Sequence, residues 1–453
     1  MKDMRELLIL FFIFILILGT NSAFAYDLVL PKEKRTSVFT NYAFFVGKAN
    51  PSETITINDD KVYTASNGAF AHTVKLKNGE NRILIKSNYS TQVYKVTKLA
   101  TAKAEDKTLF EFEPKLYKVK KDNTPLRSSP VDCGMNRLSH LFKDTNLVID
   151  GEKGDFYRVF LSRNNTAWIA KDAVEEYKKS FETPTFITMN SKTYSNASSH
   201  IIEFTDKLPY TIEEINKEIL FKIYNPFYAE DSIYTVTVKK PEKYTYTTKL
   251  HKGTYLFKLN YLPLTENCNL EGFTITVDAG HGGSEKGALG CLGDKEKDIN
   301  LKIARELKEI LTLMGANVIM TREWDANVSL EDRIQLAKDN CSEIFISIHL
   351  NSIPDIPMNV HKNRGTSVYY YNKNSKELAQ ILEKNLTKSL GTRNDGAREG
   401  SFAVIRPTDY VGVLIETAYM TNPNDTLIYT EESFPEKTAK SIAESILEFV
   451  TLK

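Results

Sequence analysis

The chain has 453 residues, 26% of them charged, and a formal net charge of +1. Such a length exceeds what one hydrophobic core supports and implies about three domains. The near-zero charge excludes a whole-chain field directed at nucleic acid or at an anionic surface, and the composition excludes a disordered or collagen-like polymer.

Residues 1–25 stand apart. An unbroken apolar run from Leu7 to Leu18 is followed by Gly19 and "SAFA", in which Ala23 and Ala25 form an A-x-A arrangement. The run is short for a membrane span, Lys2 and Arg5 precede it, and small residues sit where a signal peptidase cuts. The expectation is a cleaved secretory signal and a mature chain starting near Tyr26, with an uncleaved anchor as the lesser reading. It would be exported to the wall, the periplasm or the medium, with no membrane span of its own. Four cysteines, Cys133, Cys268, Cys291 and Cys341, lie far apart without a C-x-x-C. That spacing argues against a thiolate zinc site and for mainly buried thiols, with one disulfide left open.

Three β-rich modules follow. Over 26–100, "FFVGKANPSETITIN", "NGAF" and "LKNGENRILIKSN" give short alternating strands divided by Pro-Ser, Asn-Gly and Gly-Glu-Asn turns, a small sandwich. This pattern resembles the Ig-like repeats of secreted bacterial wall proteins. Over 101–178, "TPLRSSP", "GDFYRVFL" and "TAWIAKDAV" resemble a bacterial SH3-type barrel. Phe156, Tyr157 and Trp168 are candidates for a ligand platform there, with core packing the preferred reading. Residues 179–270 alternate again in Tyr- and Thr-rich strands such as "SIYTVTVKK" and "TYLFKLNYL", a further β module. A wall component or a protein is the expected ligand of these modules, and nucleic acid is not.

From residue 271 to 453 the rhythm becomes β/α. "FTITVDAG" reads as a strand, and Ile299, Ile303, Leu307, Ile310, Leu311 and Met314 recur at helical spacing before Gly315, a C-terminal cap. "NVIMTR" is a strand and "SLEDRIQLAKD" a helix with Ser329 as N-cap. "EIFISIHL" and "GTSVYYYN" are strands, and "SKELAQILEKNLTKSLG" is a helix. "FAVIRP" and "VGVLIETAY" are strands, and a helix from near Phe434 closes the chain. The fold class is therefore multidomain, with all-β modules ahead of an α/β layer domain that has a mostly parallel sheet.

In such sheets ligands gather at the carboxyl ends of strands. That rule collects His281, His349 and Glu416 at or near strand ends and Glu296 at a helix start. Two imidazoles, one carboxylate and one open position make the ligand set of a hydrolytic zinc site, and a carboxylate left over can accept a proton. Spacing alone does not establish this, because no H-E-x-x-H is present.

The ordered motifs "VDAGHGGSEKGALG", "EKDINL", "TREWDANVSLEDRIQLA", "FISIHLNS", "RGTSVYYY" and "VLIETAYMTNP" are similar to those of the type 3 N-acetylmuramoyl-L-alanine amidases, over about 180 residues. The resemblance implies one zinc ion held by His281, Glu296 and His349, with Glu416 as catalytic residue. The implied reaction is hydrolysis of the amide between N-acetylmuramic acid and L-alanine in peptidoglycan. It also maps Asn394–Arg398 onto a family stretch and makes Arg398, Arg406 and Asn351 candidate substrate-binding residues, each arginine being equally suited to a surface salt bridge. Leu350, Gly412, Tyr419 and Thr421 depart from the family pattern without removing a ligand, which puts only the substrate groove in doubt. A wall-binding protein with an amidase-like domain, or a zinc peptidase cutting elsewhere on the stem peptide, are the alternative readings. His72, His140, His200, His251 and His361 read as surface or packing residues.

Overall fold

The computed structural model of the chain describes residues 26–99, 108–178, 182–227, 232–266, 269–352 and 363–451. The expected signal segment, Cys268 and His361 lie outside the described residues. Among the described residues no helix is long and apolar enough to cross a membrane.

The first β region contains two sheets with one core. Tyr26–Leu30, Tyr42–Ala49 and Ala69–Lys75 pair antiparallel, and a five-stranded sheet is built on Gly79–Lys86 and Thr91–Lys98. Alternation places Phe45, Phe70, Ile83, Ile85 and Val96 between them. The hairpin of Thr56–Ile57 and Asp60–Lys61 turns through Asn58 and Asp59, both at positive φ (49° and 72°), as a two-residue loop requires.

The second region is a seven-stranded antiparallel sheet around Leu126, Ile149, Val159 and Ile169. Its aromatic trio does not form one platform. Tyr157 is the register partner of the fully buried Ile169 and its ring lies 5.0 Å from that of Tyr117, on the core side. Trp168 pairs with Arg158 and Arg127 on the other face, and Phe156 is buried beneath the Arg127 guanidinium. The third region has a four-stranded and a three-stranded sheet packed through Ile202, Phe221, Tyr255 and Phe257. Its buried cluster is continuous with that of the second region. Ser139 Oγ donates to Tyr210 O at 2.5 Å and Tyr210 Oη donates to His140 O at 2.8 Å across the junction.

The C-terminal region is an α/β layer. Its strands are β1 (Thr274–Ala279), β2 (Asn317–Met320), β3 (Ile344–Asn351), β4 (Thr366–Tyr370), β5 (Asn394–Glu399) and β6 (Val411–Tyr419). They lie in the order β2-β1-β3-β6-β4-β5, parallel at every pairing except β4 with β6. The helices are α1 (Glu296–Leu313), α2 (Leu330–Asp339), α3 (Lys376–Leu390), α4 (Pro423–Tyr429) and α5 (Phe434–Val450). One sheet face, with Ile275, Val277, Ile346, Ile348, Val413 and Ile415, packs on apolar residues of α1, α3 and α5. The other carries Phe345 and Leu414 against Ala337 of α2 and Tyr410. Gly315 follows α1 at φ +93°, and Ser329 Oγ accepts from Asp332 N at 3.0 Å, so both expected caps are present.

Three sequence expectations need correction. "FAVIRP" is not a strand. Ala403–Ile405 is a 3₁₀ turn whose buried Val404 and Ile405 pack beside Tyr410, while the edge strand is the turn-like "NDGARE". A register shift across Asp395, with Gly396 at φ +95°, lets those residues join the sheet as a bulged edge. Helix α4 adds an element between β6 and the closing helix, and Asn422 caps it by accepting from Asn424 N and Asp425 N. The thiols are not mainly buried: of the three described cysteines, Cys133 and Cys341 are exposed and only Cys291 is buried, and all three are free. Cys291 packs with Val46, Ala65, Ala69 and Ala71, so the first β region is seated on the α/β domain.

Candidate metal centre and active site

Strand β1 is almost wholly buried and ends at Ala279; Gly280 and His281 follow, the latter at φ +60°. A non-glycine residue held there costs about 1–2 kcal/mol, so something must fix the loop. Two buried guanidiniums do so. Arg322 donates to Ala279 O (2.9 Å), Gly280 O (3.0 Å) and Lys297 O (2.8 Å), and Arg333 donates to Ala279 O (2.9 Å) and His281 O (2.8 Å). Asp278, from β1, accepts from Arg333 at 2.5 Å and from Thr321 and Ser347 hydroxyls at 2.7 Å each. Burial pushes the Asp278 carboxyl up, but the Arg333 charge and these hydrogen bonds outweigh it and hold it below the usual carboxylate range.

The glycines of "DAGHGG" and beyond allow close approach. A Cβ on Gly280 would lie 2.3–2.7 Å from ring atoms of His349. One on Gly287 (φ +66°) would lie 2.4 Å from Glu296 Oε2 and 2.7 Å from His281 Cδ2. Only bare backbone lets the two imidazoles and the carboxylate converge.

Glu296 opens α1 and is buried. Its Oε1 lies 2.8 Å from His349 Nδ1 and its Oε2 lies 3.1 Å from His281 Nε2. Ala288 N donates to Oε2 (2.7 Å), and Leu350 N and Asn300 Nδ2 donate to Oε1 (3.2 and 3.3 Å). The two imidazole rings are 4.9 Å apart and nearly perpendicular. Burial raises the Glu296 carboxyl, yet hydrogen bonds from both histidines prevail and hold it far below the carboxylate range. One donor atom from each of His281, Glu296 and His349 falls within a 4.8 Å cluster. Two imidazole nitrogens and a carboxylate suit zinc, and three protein donors leave a position for water or substrate.

Glu416 lies on β6 as the register partner of His349. Its Oε2 is inaccessible and has no hydrogen-bond partner among the described residues. Burial, then the Glu296 charge, push its carboxyl well above the ordinary range. An unpartnered buried carboxylate oxygen beside a three-donor cluster is the profile of a group that handles a proton.

A family described as N-acetylmuramoyl-L-alanine amidase matches residues 275–448. The uncharacterized protein YqiI of Bacillus subtilis is 36% identical over 181 residues, 39% of this chain and 84% of YqiI. The chain belongs to the N-acetylmuramoyl-L-alanine amidase family. The probable cell wall amidase LytH of Staphylococcus saprophyticus is 38% identical over 179 residues, 39% of this chain and 58% of LytH. The match thus spans less than two thirds of LytH's length. The catalytic domain of CwlV, an N-acetylmuramoyl-L-alanine amidase from Bacillus (Paenibacillus) polymyxa var. colistinus, is 32% identical with a TM-score of 0.37, covering 40% of this chain and 99% of that one.

The other candidate residues of the amidase domain each have hydrogen-bond partners outside the donor cluster. Asn351 ends β3, where its Oδ1 accepts from Ser352 N at 2.8 Å and its carbonyl accepts from Met420 N at 2.8 Å. Arg398, on edge strand β5, donates to Asp395 at 2.6 Å, and Asp395 also accepts from Tyr419 Oη at 3.1 Å. Arg406 donates to Ser401 Oγ (2.8 Å) and Ser401 O (3.0 Å), and it neighbours Arg127 of the second β region. The arrangement of Asp278, Arg322, Arg333 and Asn300 escaped the sequence reading. The available signal was a lone Asp inside the apolar run "TITVDAG", since a charge in a buried strand demands a buried partner.

Proposed function

We propose that the chain is a zinc-dependent, exported cell-wall hydrolase that cleaves the amide between N-acetylmuramic acid and L-alanine in peptidoglycan. The observation that carries this reading is the convergence of His281, Glu296 and His349, with the unpartnered Glu416 beside them, in a chain of this amidase family. His281 Nε2, His349 Nδ1 and one Glu296 oxygen would hold the metal. Zinc, when bound, supplies Lewis acidity toward water and a carbonyl oxygen.

The chain's own residues do the rest. The Glu416 carboxylate, which is only partly buried as a side chain, accepts a proton from the attacking water as the new C–O bond forms at the muramic carbonyl carbon. The same carboxyl delivers that proton to the alanine nitrogen as the C–N bond breaks. Its desolvation favours the protonated form that makes the delivery. Arg322, Arg333 and Asp278 keep His281 in its left-handed conformation through the loop carbonyls. The β regions, read as Ig-like and SH3-like modules, would hold the amidase domain on the wall and raise its local concentration there.

The test is digestion of purified peptidoglycan by the full chain, with and without a chelator restored by zinc, followed by mass analysis. The expected products are glycan lacking peptide and stem peptides with a free L-alanine N-terminus. A cut at any other bond overturns the assignment, and full activity in metal-free protein overturns the zinc dependence.

A further inference from the structure

A second concentration of charge lies away from the amidase centre, where the second β region meets the α/β domain. Tyr371 Oη donates to Gly134 O at 3.3 Å, and a Cβ on Gly134 would lie 2.2 Å from Ser401 Oγ, so the two regions touch closely here. Three guanidiniums, of Arg127, Arg137 and Arg406, face this seam near enough to act on one another electrostatically. Arg127 is satisfied by Asp132 (2.5 Å), Cys133 O (2.5 Å) and Asn136 Oδ1 (3.0 Å). Asp132 is also the carboxylate that acts on Arg137 and Arg406, and it is largely exposed. Three positive charges against one leave an excess of two.

The neighbours do not absorb that excess. Arg137 NH1 lies 3.1 Å from His140 Nε2, so the imidazole must accept and stay neutral. Burial first, then Arg137, Arg406, Arg127 and Lys338, push its pKa down to about 4. Lys338 is itself paired with Asp409 at 3.1 Å. Arg406 spends its bonds on neutral Ser401. Arg137 Nε is buried and has no hydrogen-bond partner among the described residues. A buried guanidinium nitrogen without an acceptor, among like charges, is a costly arrangement.

We propose that this seam binds a phosphate-class oxyanion between Arg137 and Arg406. Guanidinium forks match the geometry of phosphate oxygens, and a phosphate of about −1.5 to −2 charge neutralises the excess where one carboxylate does not. Two sources present that chemistry: a soluble phosphate ion or monoester, and successive phosphodiesters of an anionic polymer. The site is independent of the zinc cluster, so its ligand would anchor the barrel and the amidase domain together.

The experiment titrates inorganic phosphate into the full chain at constant ionic strength, balanced with sodium chloride, and follows calorimetric binding and thermal melting. Saturable binding that raises the melting temperature is expected. Arg137→Gln should weaken phosphate binding about tenfold or more, because it removes a charge-assisted contact. It should also melt no lower than wild type without phosphate, since a repelling charge is gone; a purely structural arginine would give the opposite. Lys258→Gln, an exposed charge loss on another module, should bind like wild type. If Arg137→Gln does not fold, Arg137→Lys keeps the charge without the fork and should still weaken binding. A poly(glycerol phosphate) that competes with inorganic phosphate assigns the site to a polymer, and one that does not compete assigns it to a small phosphate. Absence of saturable binding, or equal binding by wild type and the Arg137 variant, overturns the proposal; the latter includes phosphate acting at the zinc cluster.

Discussion

His349 and Glu416 are register partners on the adjacent parallel strands β3 and β6, so their side chains leave the same face of the sheet. The two have opposite environments. His349 Nδ1 is 2.8 Å from Glu296 Oε1, within the donor cluster, whereas Glu416 Oε2 is buried with no partner among the described residues. One strand pair therefore supplies a group committed to the cluster and a group held in reserve beside it.

That division separates the two glutamates experimentally. Glu416→Gln keeps size but cannot take a proton, and should lower muropeptide turnover by about 10²–10⁴-fold with zinc content unchanged. Glu296→Gln removes the charged donor and should lose zinc on dialysis. Turnover and metal analysis of both variants check the assignment. Near wild-type turnover by the Glu416 variant, or zinc loss from it as easy as from the Glu296 variant, contradicts this division of roles.

Glu416 also predicts a pH-dependent stability of the metal-free protein. Its folded carboxyl titrates above the ordinary range because of burial, then Glu296. The folded state therefore binds more protons than the unfolded state between the two pKa values, and stability falls as pH rises through that window. A neutral Gln escapes this loss. In chelator, the melting temperature of Glu416→Gln relative to wild type should rise from pH 4 to pH 8. A constant difference across that range would mean that the carboxyl is not held in its protonated form.

Gly280 offers a test of the steric argument. A Cβ there meets the His349 ring at 2.3–2.7 Å, inside any tolerable contact, and the ring is tied by its Nδ1 to Glu296 Oε1 at 2.8 Å. Gly280→Ala should displace the imidazole and reduce zinc stoichiometry well below one, while the rest of the domain keeps its circular dichroism. Full zinc occupancy in this variant would show that the ring has room to move.

Much of the α/β domain was legible because its elements obey simple periods. Ile303, Leu307 and Leu311 marked α1, and the apolar run "EIFISIHL" marked β3 as a buried strand, with Ser329 and Gly315 punctuating the helices. The residues that converge on the site, His281, Glu296, His349 and Glu416, were collected by their places at strand ends and at a helix start. What failed depended on tertiary packing. "FAVIRP" has strand composition, but Val404 and Ile405 reach the core as a turn under Tyr410, and a bulge at Gly396 carries the edge strand instead. The seat of the first β region on Cys291 was equally hidden, because Ala65, Ala69 and Ala71 read as ordinary small residues of a sandwich. The buried arginines were hidden for another reason. Arg322 and Arg333 lie in polar stretches, and nothing local tells that their guanidiniums reach the carbonyls of the "DAGH" loop.

Those arginines give the sharpest remaining test. Arg333 donates to Asp278, Ala279 O and His281 O, so it neutralises a buried carboxylate and also fixes the loop bearing His281. Arg333→Met strands the Asp278 charge, which should cost about 3–5 kcal/mol, and it removes the donor to His281 O while leaving Ala279 O only its contact with Arg322. Asp278→Asn in the same chain removes the stranded charge but cannot restore the carbonyl contacts. The double variant should therefore recover part of the lost stability while zinc affinity stays as weak as in Arg333→Met. Denaturant unfolding and competitive zinc titration measure the two quantities separately. If zinc affinity recovers in step with stability, Arg333 acts only through the ion pair. If Arg333→Met binds zinc as wild type does, the loop is held by Arg322 alone.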